Sequence, residues 1–117
     1  MIPAEKWRWF GNPAHLICAD SCLFHLVTEI GSIVVSTVGD WRPDRKGGDL
    51  GKMHDIGCGR KYETMVFRVA GRCSCGCGLP THNGENVDFD AYLLPGEAAE
   101  GHRAMCVKYA ELDGRAE

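Results

Sequence analysis

The chain has 117 residues and a mass of 12.8 kDa, the size of one ordinary domain. It carries 13 basic and 16 acidic residues, a formal charge of −3, and so lacks the basic excess of a stand-alone phosphate-backbone binder. Its 44% hydrophobic and 25% charged content is that of a globular protein, but 7 cysteines, 5 histidines and 15 glycines are well above average usage.

Residues 1–13 hold Trp7, Trp9, Phe10 and two prolines, and predict an irregular arm that lays aromatics on the core. The clearest local signal follows. Leu23–Ile30 and Ile33–Val38 flank Gly31-Ser32, which predicts a β-hairpin with a type II′ turn, because glycine supplies the positive φ at the first loop position. Pairing Ile30 with Ile33 puts Phe24, Leu26, Ile30, Ile33 and Val35 on one face. Leu23, His25, Val27, Val34 and Val38 take the other. Both faces are largely apolar, so the hairpin is expected to be central or covered on both sides. A helix over 13–30 competes, with Asn12-Pro13 as its start and Gly31 as its stop. The β-branched run Val27-Thr28, Ile30 and Ile33-Val34-Val35 favours strands over 23–38. Residues 14–22 stay open between strand and helix.

Residues 40–60 are turn-forming and charged, and predict an exposed loop. Tyr62–Val69 predicts a third strand, with Met65, Phe67 and Val69 on one side and Tyr62, Thr64, Val66 and Arg68 on the other. Residues 71–87 read as a second loop, and Phe89–Leu94 as a short edge strand. Glu97–Leu112 is the strong helix, with Ala98, His102, Met105, Tyr109 and Leu112 as its buried stripe and Gly114 as its stop. The expected fold is therefore a single α+β domain over 1–117: a small antiparallel sheet of three or four strands with a C-terminal helix packed on one face. Phe24, Leu26, Ile33, Val35, Met65, Phe67, Met105 and Tyr109 are the expected core.

The sharpest chemical feature is Cys73-x-Cys75-x-Cys77, in a loop spanning 71–83. Thiols at two-residue spacing share one side of an extended segment and can reach one tetrahedral ion. Gly76 and Gly78 let the backbone wrap closely. A structural zinc is the expectation, with Cys58 or His82 as the completing ligand. A loop with incidental cysteines is the competing reading.

The other soft side chains divide differently. His15, Cys18, Cys22 and His25 are too spread for one ion: on a helix the two histidines lie about 15 Å apart, and on strands spacings of three alternate faces. Burial in the core is expected instead. His102 and Cys106 lie one helical turn apart, but His102 sits on the buried stripe and reads as a satisfied core or interface histidine. Trp41-Arg42 and Arg60-Lys61 form small basic-aromatic patches that suit a binding role, diluted by Asp44, Asp49 and Glu63. Phosphate-loop, dinucleotide-loop, nucleophile-elbow, zinc-protease and deaminase signatures are all absent.

Read together, Val35-Ser36-Thr37-Val38, Tyr62-Glu63-Thr64-Met65-Val66-Phe67, Tyr92 and Glu97-Ala98-Ala99-Glu100-Gly101-His102 resemble a family of small proteins from phages, prophages and metagenomes. The resemblance covers roughly residues 30–110. Many members carry Leu-Gly-Leu-Asp-His after the first motif; Gly39-Asp40-Trp41-Arg42-Pro43 stands here instead. The resemblance implies a mobile-element setting and no particular activity. The chain is thus expected to be an accessory protein that binds a host protein, interference with host defence of the anti-CRISPR type being one form. One alternative is a metal- or thiol-dependent enzyme using the Cys73/Cys75/Cys77 centre, or Cys58 with His54 nearby. Another is a zinc-stabilised nucleic-acid module using Arg60, Lys61, Arg68 and Arg72. No apolar run reaches the ~18 residues of a membrane span, and no secretion signal is recognised. The expected location is the cytoplasm of a bacterial host.

Overall fold

The computed structural model describes residues 1–11, 22–42, 52–56, 59–74 and 76–116. The hairpin is its centre. β2 (Cys22–Ile30) and β3 (Ile33–Trp41) pair antiparallel with Ile30 opposite Ile33. Gly31 takes φ 57° at the turn, the conformation for which glycine was expected there. β1 (Arg8–Gly11) joins the outer side of β2, β4 (Tyr62–Arg68) joins β3, and β7 (Asn86–Tyr92) joins β4. All four pairings are antiparallel, in the order β1-β2-β3-β4-β7. Between β4 and β7 a small ribbon pairs β5 (Gly71–Arg72) with β6 (Pro80–Thr81). Helix α1 (Pro95–Ala116) packs on one face of the sheet. The α+β class and the packed helix are as expected.

The expected strand count was low for identifiable reasons. The arm is not wholly irregular: Ala4–Lys6 forms one 3₁₀ turn, and β1 follows as an edge strand. The short run Arg8-Trp9-Phe10-Gly11 has no alternation long enough to announce a strand; pairing with β2 makes it one. Within the segment expected to be loop, β3 runs on to Trp41, and His54 bridges back to it. The helix also passes Gly114, which does not stop it.

The sheet has two covered faces rather than one core. On the helix side, Ile30, Ile33, Val35 and Val66 pack against Met105, Cys106 and Ala110, with Ile2 and Trp7 of the arm. Full burial of each aliphatic side chain contributes roughly 1.5–3 kcal/mol. On the far side, Val27, Val34 and Phe67 cluster with Phe10, Met65 and Val69. Met65 and Phe67 therefore do not meet the helix, because their parity on β4 is opposite to that of Val66. Leu112 of the expected stripe is 45% exposed, while Cys106 and Ala110 are buried in its place.

Two close approaches fix the end of the sheet nearest the helix start. Gly39 lies opposite Tyr62, whose ring occupies the space a Cβ would need. Gly101 lies against the Tyr92 phenol in the same way. Both tyrosines are buried, beside Ala98 and Phe24.

Candidate functional site

The cysteine loop is the turn of the β5–β6 ribbon. The Cys73 N–H donates to Leu79 O at 2.8 Å, and Gly76 N–H donates to Cys73 O at 3.2 Å. Gly76 and Gly78 both take φ 84°, a left-handed backbone open to glycine. Cys73 is half-buried and Cys77 exposed. Cys75 and Cys58 lie outside the described residues. His82 stacks flat on Phe67, with ring centroids 3.8 Å apart, and its Nδ1 accepts the Gly84 N–H at 3.0 Å. Burial lowers its pKa, so the ring is neutral at pH 7. Among the described residues no three His, Cys, Asp or Glu side chains form a metal-binding group.

Trp41, Arg42, Arg60 and Lys61 lie at one end of the sheet. Trp41 and Arg42 end β3, and Arg60 and Lys61 precede β4 at the same end of the sheet. Much of the charge is neutralised there. Arg42 Nε donates to Asp40 Oδ1 at 2.5 Å, and Lys61 is ion-paired with Asp55. Asp40 is held at φ 52°, the one described non-glycine residue in the left-handed region. The His54 main-chain N–H donates to Trp41 O at 2.7 Å, and its ring meets Trp41 edge to face. Arg68 and Arg72 sit at the opposite end of β4, about 20 Å away by strand rise. Arg72 also grips the buried Glu29 carboxylate with two hydrogen bonds, of 2.5 and 2.7 Å. The four basic residues expected of a nucleic-acid module therefore do not share a patch.

The most organised polar group is buried under the helix. Tyr92 OH donates to Thr64 Oγ1 at 3.2 Å, and Thr64 Oγ1 lies 2.6 Å from Thr37 Oγ1. Thr37 Oγ1 is 2.7 Å from His102 Nδ1, and His102 Nε2 is 2.9 Å from Thr28 Oγ1. Thr28 also bonds the Cys106 thiol. Each hydroxyl has one proton to give. Because Tyr92 donates into Thr64, the protons run Thr64 to Thr37 to His102 Nδ1. That leaves the Nε2–H tautomer, which donates to Thr28, whose own proton points at Cys106 Sγ. Burial pushes His102 down to about 4, with a smaller contribution from His25, so its ring is neutral. Burial pushes the Cys106 thiol up to about 11. A catalytic Cys–His pair requires the reverse, a thiolate beside an imidazolium.

This network floors a cavity of about 280 Å³. Its walls are Trp7 and Trp9 from the arm, and Arg103 stands on its helix side. Trp9 meets His102 edge to face, with centroids 6.0 Å apart. His102 and Cys106 were legible as core residues; the cavity and the hydroxyl partners were not. One signal was available: Thr28, Thr37 and Thr64 all fall at apolar-face positions of their strands, where a polar residue needs a buried partner.

The last exposed feature is β7. It has β4 on one side only, and Val87 and Phe89 are 42% and 51% exposed, with Leu93 and Leu94 exposed just beyond. The main-chain N–H groups of Phe89 and Ala91 donate to the Asp88 and Asp90 carboxylates, each at 2.8 Å. Two donors that a further strand would need are thus already taken. Asp88 is itself held by Lys108 at 2.6 Å and by Tyr109 OH at 3.0 Å.

No protein-family model, curated protein or solved structure matches the chain. No described helix is long and apolar enough to cross a membrane.

Proposed function

We propose that the chain is a binding protein, an accessory of a mobile element that captures a host protein through the apolar side chains of β7 and the turn after it. The observation that carries this reading is the exposure of Val87, Phe89, Leu93 and Leu94 on and after an edge strand. The capped N–H groups argue for contact through side chains and against strand addition. Glu85, Asp90, Glu97 and Glu100 are exposed on the same stretch of chain, so the fitting partner has an apolar centre with a basic rim. The same acidic residues disfavour nucleic acid at this surface. Support for a binder over an enzyme comes from His102 and Cys106, both buried in their neutral forms.

The test is recovery of a partner from host lysate on the purified protein, with Phe89→Glu as the control. Phe89 is half-exposed, so this substitution leaves the core intact. A host protein retained in stoichiometric amount by the parent and lost with F89E supports the reading. Retention of nothing by the parent, or equal retention by F89E, overturns it.

We propose in addition that the β5–β6 turn is closed by a structural zinc on Cys73, Cys75 and Cys77, completed by Cys58 or His82. The support is the two-residue thiol spacing and the tight left-handed turn at Gly76 and Gly78. One zinc per chain in untagged protein, with loss of thermal stability on chelation, is the expected result. Metal-free protein of unchanged stability refutes it.

A further inference from the structure

The cavity between the arm and α1 has the character of a ligand site, and it is separate from the β7 surface. Its volume of about 280 Å³ is close to the lower end of small-molecule pockets. Two indoles, Trp7 and Trp9, form much of the wall. Trp9 is 59% exposed, a large apolar ring left in solvent beside an open cavity. The floor is polar in composition yet uncharged and internally satisfied: His102 Nε2 is bonded to Thr28, and Thr28 to Cys106. It accommodates a ring edge and offers no charged group to an ion. Among the described residues the single charge on the lining is the Arg103 guanidinium, which is exposed and makes no ion pair with any of them. Among the described residues no carboxylate lines the cavity.

We propose that this cavity binds a small planar aromatic carboxylate, with its ring against Trp7 and Trp9 and its carboxylate at Arg103. The aromatic wall selects a flat ring, because offset or edge-to-face packing on an indole is favourable beyond area burial. Arginine selects the carboxylate by its fork of parallel donors. A pair of tryptophans can also hold a quaternary ammonium over their faces. Here the unpaired Arg103 repels such a cation, and no acidic residue on the lining offsets it.

Phenylacetate is the probe, with benzyl alcohol as its neutral counterpart and benzyltrimethylammonium as its cationic one. The three indole N–H signals in a ¹H–¹⁵N spectrum are the readout. Trp41, which does not line the cavity, serves as the internal reference. Phenylacetate is expected to shift Trp7 and Trp9 saturably and to leave Trp41 in place. Arg103→Gln should weaken the carboxylate roughly fivefold, the scale of one exposed ion pair, with benzyl alcohol unaffected. Trp9→Ala should weaken both by about tenfold, the scale of one ring-on-ring contact. Both side chains are exposed, so neither variant threatens the fold. Absence of a saturable shift up to about 10 mM overturns the proposal, since that marks an affinity too weak for a formed site. Tighter binding of the ammonium than of the carboxylate, or an unchanged affinity in R103Q, also overturns it.

Discussion

Thr37→Val is the most direct test of the buried network. Valine puts a methyl where threonine has its hydroxyl, so the volume is nearly kept while the hydrogen bonds are lost. That hydroxyl lies 2.6 Å from Thr64 Oγ1 and 2.7 Å from His102 Nδ1, in a residue with no solvent exposure. Its removal leaves His102 Nδ1 without its donor and the Thr64 O–H without its acceptor, while Thr64 Oγ1 keeps the Tyr92 hydrogen bond. Each unsatisfied group costs about 1–3 kcal/mol, so two cost about 2–6 kcal/mol, and the Tyr92 bond that Thr64 keeps places the loss in the lower part of that range. Against a typical total of about 5–15 kcal/mol this is a large fraction. Equilibrium urea unfolding at pH 7.5 measures it: the midpoint should fall with the slope unchanged. The double variant T37V/T64V should cost less than the sum of the two single variants, because the Thr–Thr bond is lost only once. A T37V cost below about 0.5 kcal/mol would refute the reasoning, since it would mean that this hydroxyl satisfies neither neighbour. A His102 tautomer carrying its proton on Nδ1, read from ¹⁵N shifts, would refute the assigned direction of the chain.

Stability should also depend on His102 protonation. The folded ring titrates at about 4 and the unfolded one near 6.5, so between these values the unfolded state holds more protons. Stability should therefore fall as pH drops from about 6.5 to about 4, by about 3 kcal/mol in all, and His102→Gln should flatten that slope. Gly101→Ala should destabilise by about 1–3 kcal/mol despite the better helix propensity of alanine, because the new methyl meets the Tyr92 phenol; a stabilised G101A in thermal unfolding would contradict this. Arg72→Ala should lower the urea midpoint by leaving the buried Glu29 carboxylate with only the longer Arg8 contact at 3.7 Å, and Arg72→Ala with Glu29→Gln should recover part of it; an unchanged midpoint in R72A would show that the pair does not hold the ribbon to the sheet.

Much of the fold was legible because its strongest signals are local. The Ile30/Ile33 register follows from Gly31 and the alternating pattern, and it places every side chain of β2 and β3 on its observed face. The strand Tyr62–Arg68 and the helix also follow from period alone. What was not legible depends on contacts between distant segments. Arg8–Gly11 is a strand only because Glu29, Thr28 and Val27 offer it an edge. Met65 and Phe67 pack away from the helix because β3 and β4 pair with Ser36 opposite Met65, a register that no local turn announces. The candidate site divides in the same way. His102 was readable as a buried histidine, but its partners come from Thr28 and Thr37, 74 and 65 residues earlier. The cysteine spacing was readable in full, whereas Cys58 and Cys75 lie outside the described residues. The cavity has no sequence signature, since it arises where β1 of the arm, β2 and α1 meet.

The hydroxyl network has a consequence for how the chain folds. Its members come from β2, β3, β4, β7 and α1, so it can close only when all of these are in register. A one-residue slip of any strand turns its threonine, or Tyr92 on β7, to the opposite face and leaves the others with open valences. Correct pairing is thus checked at a single point after the strands have met. Such distant contacts form slowly, on the millisecond-to-second scale of non-local sheets. The His102 Nε2 proton, held by Thr28 at the floor of the cavity, should exchange with solvent more slowly than that of an exposed imidazole, and its lifetime in D₂O would report the opening of α1 from β2.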